Sequence, residues 1–150
     1  MLSISQIRIR DVVVRWFKRI TWVEPYCVTL TMSKKVLRDN SQNFRHFMNR
    51  LNRKYLKKSF IRYGNKLKVI PVIEGNDVIE QHYHCIIDNP HKKTEEEFKE
   101  LIRQSWIKTD LRRPVIYVEP MRDEYWIDYM MKYRSKKSIS DSIDWMNVNI

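Results

Sequence analysis

Two histidines stand two positions apart in the stretch EQHYHCIID at residues 80 to 88. On a strand, side chains alternate faces with period two, so His82 and His84 project from one face while Tyr83, Cys85 and Ile87 point to the other. Paired imidazoles are the beginning of a metal site and equally a common surface pairing, so the pair gains weight only with a carboxylate beside it. Glu74 lies eight residues before His82 and returns beside it if the chain turns over at Gly75 to Asp77; Glu80 competes, because it shares the parity of both histidines. Two His and one carboxylate leave open positions on a cation, which can then polarise a phosphate oxygen. Mg or Mn suits such a donor set when the substrate is a phosphodiester.

A second constellation follows in YMMKYRSK at residues 129 to 136. Tyr129 and Tyr133 share one face of a helix, Lys132 and Lys136 each follow three residues on, and Tyr125 lies one turn earlier. An aromatic stripe at this spacing is also what a core face looks like, but Trp126 and Met130 form a rival apolar stripe able to do the burying. A lysine near a tyrosine suits a hydroxyl that must become a phenolate and meet a phosphate.

These groups need a frame. Ile9, Val12, Val13, Trp16, Phe17 and Ile20 form a helical stripe, although its β-branched content leaves a strand open. YCVTLTM at 26 to 32 reads as a strand. A helix capped by Asn40 or Ser41 follows, apolar along Phe44, Phe47, Met48, Leu51 and Tyr55. Lys66 to Glu74 and Val78 to Asp88 read as a hairpin closed by Gly75, Asn76 and Asp77. Thr94 and Glu97 form a capping box for a helix burying Phe98, Leu101, Ile102 and Trp106. Pro114 to Glu119 is a further strand, and about Asp123 to Lys137 a last helix. The order predicts an α+β fold, an antiparallel sheet with flanking helices packed mainly on one face. At 150 residues, one domain is expected.

Lys and Arg number 29 against 18 Asp and Glu, a net charge of +11, which favours a polyanionic partner. Arg45, Arg50, Arg53, Lys54 and Lys57 make one side of the second helix strongly basic. A solvated charged face is the plain reading of such a helix alone; in a chain of this charge it is the candidate DNA-contact surface. No run of residues approaches the roughly 20 apolar positions of a membrane span, and charges interrupt any secretory pattern near the N-terminus. Cys27 and Cys85 form no CxxC pair and no disulfide framework, which fits a reducing cytoplasm. With two glycines, no Gly-rich phosphate loop can be built, against a P-loop ATPase or a dinucleotide-binding fold.

A His-hydrophobe-His strand followed 45 residues after His84 by a YxxK segment resembles the HUH endonucleases, and within them the rolling-circle replication initiators. The doubled YxxKYxxK is similar to phage initiators of the microvirus kind, and VTLTM at 28 to 32 loosely resembles the family's first motif. The resemblance covers about residues 26 to 137. It implies a ferredoxin-like or RRM-like catalytic core there, an N-terminal helical extension at 1 to 24 and a tail at 138 to 150. It implies a divalent metal on His82, His84 and Glu74, and Tyr129 as the nucleophile with Lys132 as its lysine. Tyr133, with Lys136, would be the second tyrosine. The implied activity is nicking and rejoining of single-stranded origin DNA through a 5′-phosphotyrosine, in the cytoplasm near the nucleoid. No helicase domain follows, so unwinding and synthesis would fall to a host helicase and polymerase. A relaxase is disfavoured by the lack of a third histidine near the pair, and a small transposase by the lack of a glutamine after the tyrosine. From another class, a non-catalytic binder of single-stranded nucleic acid on an RNA-recognition-like sheet would also use the charge and the aromatics.

Overall fold

The computed structural model describes residues 3 to 32, 37 to 75, 81 to 109, 112 to 132 and 139 to 150. Its elements run α1 (Ile4–Arg19), β1 (Pro25–Met32), α2 (Leu37–Leu56), α3 (Lys58–Tyr63), β2 (Val69–Glu74) and β3 (His82–Asp88). They continue as α4 (Glu95–Ile107), β4 (Arg112–Pro120), α5 (Tyr125–Met130) and α6 (Ile139–Ser142), then a 3-10 turn at Trp145–Asn147. The four strands form one antiparallel sheet in the order β2-β3-β1-β4. The core is therefore β-α-β-β-α-β with a ferredoxin-like strand order, as the sequence predicts.

Helices flank both faces rather than mainly one. Phe44, Phe47, Met48, Leu51 and Tyr55 of α2 and Phe98, Ile102 and Trp106 of α4 pack with Val28, Leu30, Tyr83, Cys85 and Ile87. On the opposite face, Val14 and Phe17 of α1 join Ile127 and Met130 of α5, Met131 and Ile143 against Ile70, Val72 and Ile86. Period two along β3 divides these two cores: odd-numbered residues face α2 and α4, even-numbered residues face α1 and α5. The sequence reading missed the second layer because α5 is short and its partners are distant in the chain.

Three local expectations are corrected. Asn40 and Ser41 do not cap α2, which begins at Leu37. Their polar groups serve tertiary bonds instead, Asn40 to Gln81 and Ser41 Oγ to Asp144 Oδ1 at 3.0 Å. The basic end of α2 continues into the separate helix α3 past Lys57, which takes a positive φ of 52°. The last helix is also far shorter than Asp123 to Lys137: α5 ends at Met130, and Met131 caps it by bonding Ile127 O at 3.2 Å. By contrast, Thr94 caps α4 as expected, its Oγ1 accepting from Glu97 N at 3.2 Å.

β2 is an edge strand, and residues near the C-terminus cover its outer side. Val69 bridges Asn149 and Val72 bridges Ile143, while Asp144 N donates to Pro71 O at 3.0 Å. Pro71 is tolerated there because an edge position does not need its missing N–H. The buried Asp144 carboxylate fixes this segment: it accepts from Tyr83 Oη at 2.7 Å, Ser41 Oγ at 3.0 Å and Asn147 Nδ2 at 2.7 Å. Burial first, then the Asp144 carboxylate, pushes the Tyr83 phenol pKa up, so Tyr83 stays a donor. Asp144→Ala leaves the fully buried Tyr83 hydroxyl without its acceptor. It should cost about 3 kcal/mol in urea denaturation; a loss below about 1 kcal/mol would show that the tail is not anchored there.

Candidate active site

β3 lies between β2 and β1, so each histidine has a strand on either side. Glu74 pairs with His82 and Val72 with His84; Thr31 pairs with His82 and Thr29 with His84. Side chains opposed on one face approach to about 5 Å, within hydrogen-bonding reach. Thr29 Oγ1 lies 3.0 Å from His84 Nδ1, and Thr31 Oγ1 lies 3.3 Å from His82 Nδ1. The threonines thus hold the Nδ1 edges, as residues behind a metal ligand do. His84 Nε2 meets Glu74 Oε2 at 2.8 Å, and Glu74 Oε1 lies 3.3 Å from Lys132 Nζ. One carboxylate therefore bridges the histidine strand and the residue just beyond α5.

The tyrosine comes down on the same spot. The Tyr129 ring stands edge-on to His84, with centroids 5.5 Å apart and planes at 79°. Lys132 Nζ lies 4.0 Å from the Tyr129 ring centroid. Burial disfavours the Lys132 ammonium, but the Tyr129 hydroxyl and the Glu74 carboxylate outweigh it, and the pKa is raised. Lys132 is thus a fixed positive charge between phenol and carboxylate. Tyr129 remains 37% exposed, enough to meet a large substrate, whereas His84 is only 6% exposed.

Trp126 locks this geometry. Its ring stacks on Tyr129 at 5.0 Å and 22°, and stands edge-on to His84 at 5.8 Å and 81°. Its Nε1–H donates to the carbonyl of Cys85, the residue after His84, at 3.2 Å. The helix bearing the tyrosine is thereby tied to the strand bearing the histidine. Arg10 adds a second tie, its Nε donating to Met131 O at 3.1 Å at the open end of α5. Lys18 of α1 pairs with Asp128 at 3.0 Å.

His82, His84, Glu74, Tyr129 and Lys132 are therefore brought together. Tyr133, Lys136 and the rival carboxylate Glu80 lie outside the described residues. Arg45, Arg50, Arg53, Lys54 and Lys57 belong to α2 or its end, across the sheet from the histidines. Arg45 lines a cleft of about 350 Å³ with Asn49, Asn52, Lys66 and Asn147, also away from them. The sequence reading missed Thr29 and Thr31 as histidine partners and gave Trp126 only a packing role. Thr29 and Thr31 have the parity that puts both hydroxyls on one face, but only the β1–β3 register says which ring each meets.

Two imidazoles and a carboxylate are donors that a divalent cation accepts. Among the described residues, no group of three or more His, Cys, Asp or Glu side chains is spaced as a metal cage. The donor chemistry fits; the carboxylate that would complete the set engages His84 and Lys132. Also among the described residues, no helix is long and apolar enough to cross a membrane.

The family model of the ORF2-type replication-associated proteins matches residues 25–138, a span that takes in β1 through α5. No curated protein and no solved structure matches the chain.

If the indole anchors α5, Trp126→Ala should speed amide hydrogen exchange in residues 125 to 130 by about tenfold or more, leaving β1 and β3 protected. Trp126→Phe keeps the ring stack and loses the N–H, so it should fall between. Wild-type protection of α5 in Trp126→Ala would assign the anchoring to other contacts.

Proposed function

The chain belongs to the family of ORF2-type replication-associated proteins, and on that premise we propose that it is a rolling-circle replication initiator that nicks and rejoins single-stranded DNA through Tyr129. The observation that carries this reading is the convergence of Tyr129, Lys132, Glu74 and His84 on one point, held from two separate regions of the chain.

The chemistry is transfer of a phosphodiester. The Tyr129 oxygen attacks phosphorus, an O–P bond forms to the 5′ phosphate, and the bond to the 3′ oxygen breaks. The 3′ oxygen leaves as a hydroxyl after taking a proton; rejoining reverses each step. A phenol attacks well only as its proton departs, so a nearby fixed cation helps. Lys132 supplies that charge, and Glu74 holds the ammonium in place. Trp126 restricts the tyrosine ring to one orientation, which lowers the entropy cost of reaching the phosphorus. A divalent metal, Mg or Mn, on His82, His84 and Glu74 would neutralise charge developing on the phosphate oxygens. Thr29 and Thr31 orient the two imidazoles for that role. Tyr133, with Lys136, is assigned as a second nucleophile for the return cut.

Binding would rest on phosphate contacts from Lys and Arg. The α2 group of Arg45, Arg50, Arg53, Lys54 and Lys57 is the proposed outer track, on a face separate from the reaction. Origin DNA is the expected partner, with a host helicase and polymerase completing replication.

Mixing the protein, a single-stranded oligonucleotide library and Mn should yield a denaturation-resistant adduct. His84→Ala, Tyr129→Phe or EDTA should reduce it to background while binding persists. Mass mapping of the linked peptide in Tyr129→Phe and Tyr133→Phe assigns the two tyrosines. Full-rate adduct formation in EDTA would remove the metal, and an adduct on Tyr133 alone would remove Tyr129 as first nucleophile.

Affinity for a single strand should fall with log salt at a slope of about −0.7 per phosphate contacted. Reversing Arg45, Arg50 and Arg53 together should weaken binding and flatten that slope. An unchanged slope would take the strand off α2.

A further inference from the structure

Beside Tyr129, towards β4, the histidine face of the sheet opens into a cleft of about 270 Å³. Its floor is Cys27. Tyr117 and Glu119 of β4 form one wall, Arg122 and Asp123 its rim, and Tyr125, Trp126 and Tyr129 of α5 the other wall. The register explains the arrangement: Thr29 pairs with both His84 and Tyr117, and Cys27 with both Ile86 and Glu119. Tyr117 therefore lies in the same cross-strand row as His84, two strands away. Trp126 spans that row, edge-on to His84 on one side and stacked with Tyr117 at 6.5 Å and 28° on the other.

The contents of the cleft select an occupant. Tyr117 and Tyr125 are 46% and 73% exposed, and their rings are costly to leave in water. Two carboxylates, Glu119 and Asp123, face the space in a chain that is otherwise strongly basic. Burial first, then these two carboxylates, pushes the Cys27 thiol pKa up to about 12, so the floor is neutral. Carboxylates repel a phosphate, so the cleft does not hold the sugar-phosphate backbone. Aromatic walls with hydrogen-bond acceptors at the end suit a flat ring carrying N–H donors.

We propose that this cleft takes one unstacked base of the single strand, that of a nucleotide flanking the scissile phosphate, and that it prefers a base with an exocyclic amino group over thymine. The proposal rests on the nicking function proposed above, since the shared residue Tyr129 is what places the base next to the cut. Tyr117 and Trp126 supply stacking faces, which accept any base. Glu119, to which the Tyr117 hydroxyl donates, and Asp123 accept from the amino group, as carboxylates do from cytosine N4. The cleft thus makes the cut position selective, while the basic surfaces bind any sequence.

The test has a binding arm and a capture arm. Short single strands of dC, dA or dT are titrated in EDTA by fluorescence anisotropy against wild type, Tyr117→Ala, Tyr117→Phe and Glu119→Gln. Wild type should favour dC and dA over dT. Tyr117→Ala should weaken all binding by about tenfold, Tyr117→Phe should restore most of it, and Glu119→Gln should erase the base preference. In the capture arm, adducts from a random library should show one position beside the cut depleted in thymine, with the depletion lost in Glu119→Gln. Variants that bind and cut with the wild-type profile would overturn the cleft while leaving the nicking function standing. Absence of adducts with the binding preferences intact would do the reverse.

Discussion

The register of β3 between β1 and β2 is the constraint on which the rest of the molecule depends. In that register Glu74 stands beside His82, Val72 and Thr29 flank His84, and Tyr117 falls in the same row one strand further on. A slip of one residue would turn every side chain of β3 over. The histidines would enter the apolar layer under α2 and α4, and Tyr83, Cys85 and Ile87 would face α5. Tyr83 guards against this: it is fully buried, stacks on Phe44 at 4.3 Å and donates to Asp144. The hydrophobic effect on one face thereby sets the chemistry on the other. The same contact ties β3 to the C-terminal segment, so the β2 edge and the site are stabilised together.

The tyrosine side of the site has a different physical basis. A helix of six residues has no stability of its own in water, so α5 exists because of what it touches. Ile127 and Met130 are buried against α1 and the sheet, Trp126 bonds the Cys85 carbonyl, and Arg10 holds the carbonyl of Met131. A short element held by a few identifiable contacts can yield to a bulky strand more readily than a long one, because fewer contacts must break. That suits a nucleophile which must meet a polymer, and it gives α1 a part in positioning a residue more than a hundred positions away.

How legible this was in the sequence depends on whether the relevant contacts are local. The β2–β3 hairpin, with Glu74 returning to His82, follows from period two and a turn at Gly75, so the carboxylate beside the histidines was readable. The capping of α4 by Thr94 was readable for the same reason. The length of α5 was not: tyrosines and lysines keep helical spacing through residue 136, yet the described helix stops at Met130. Periodicity reports what a helix would bury and not where packing ceases to support it. Asn40 and Ser41 look like caps because their residue types suit caps; their partners, Gln81 and Asp144, are distant in sequence and invisible to local rules. Thr29, Thr31 and Trp126 were underread on the same grounds, since each acts on a histidine strand some forty or more residues away.

Charge is distributed by task rather than by element. The surplus of Lys and Arg gives the chain a long-range attraction for any nucleic acid, and that attraction carries no sequence information. Close to the sheet the pattern changes. Glu74 is matched by Lys132, Asp128 by Lys18, and the cleft beside Tyr129 holds two carboxylates against one guanidinium. A uniformly basic site would hold the backbone in many registers and present the tyrosine with no defined phosphorus. A locally balanced site lowers that indiscriminate affinity at the one place where position matters. The strand is then fixed by what its bases and its reacting phosphate can bond, so the acidic residues near Tyr129 serve selectivity by weakening the attraction that the rest of the surface provides.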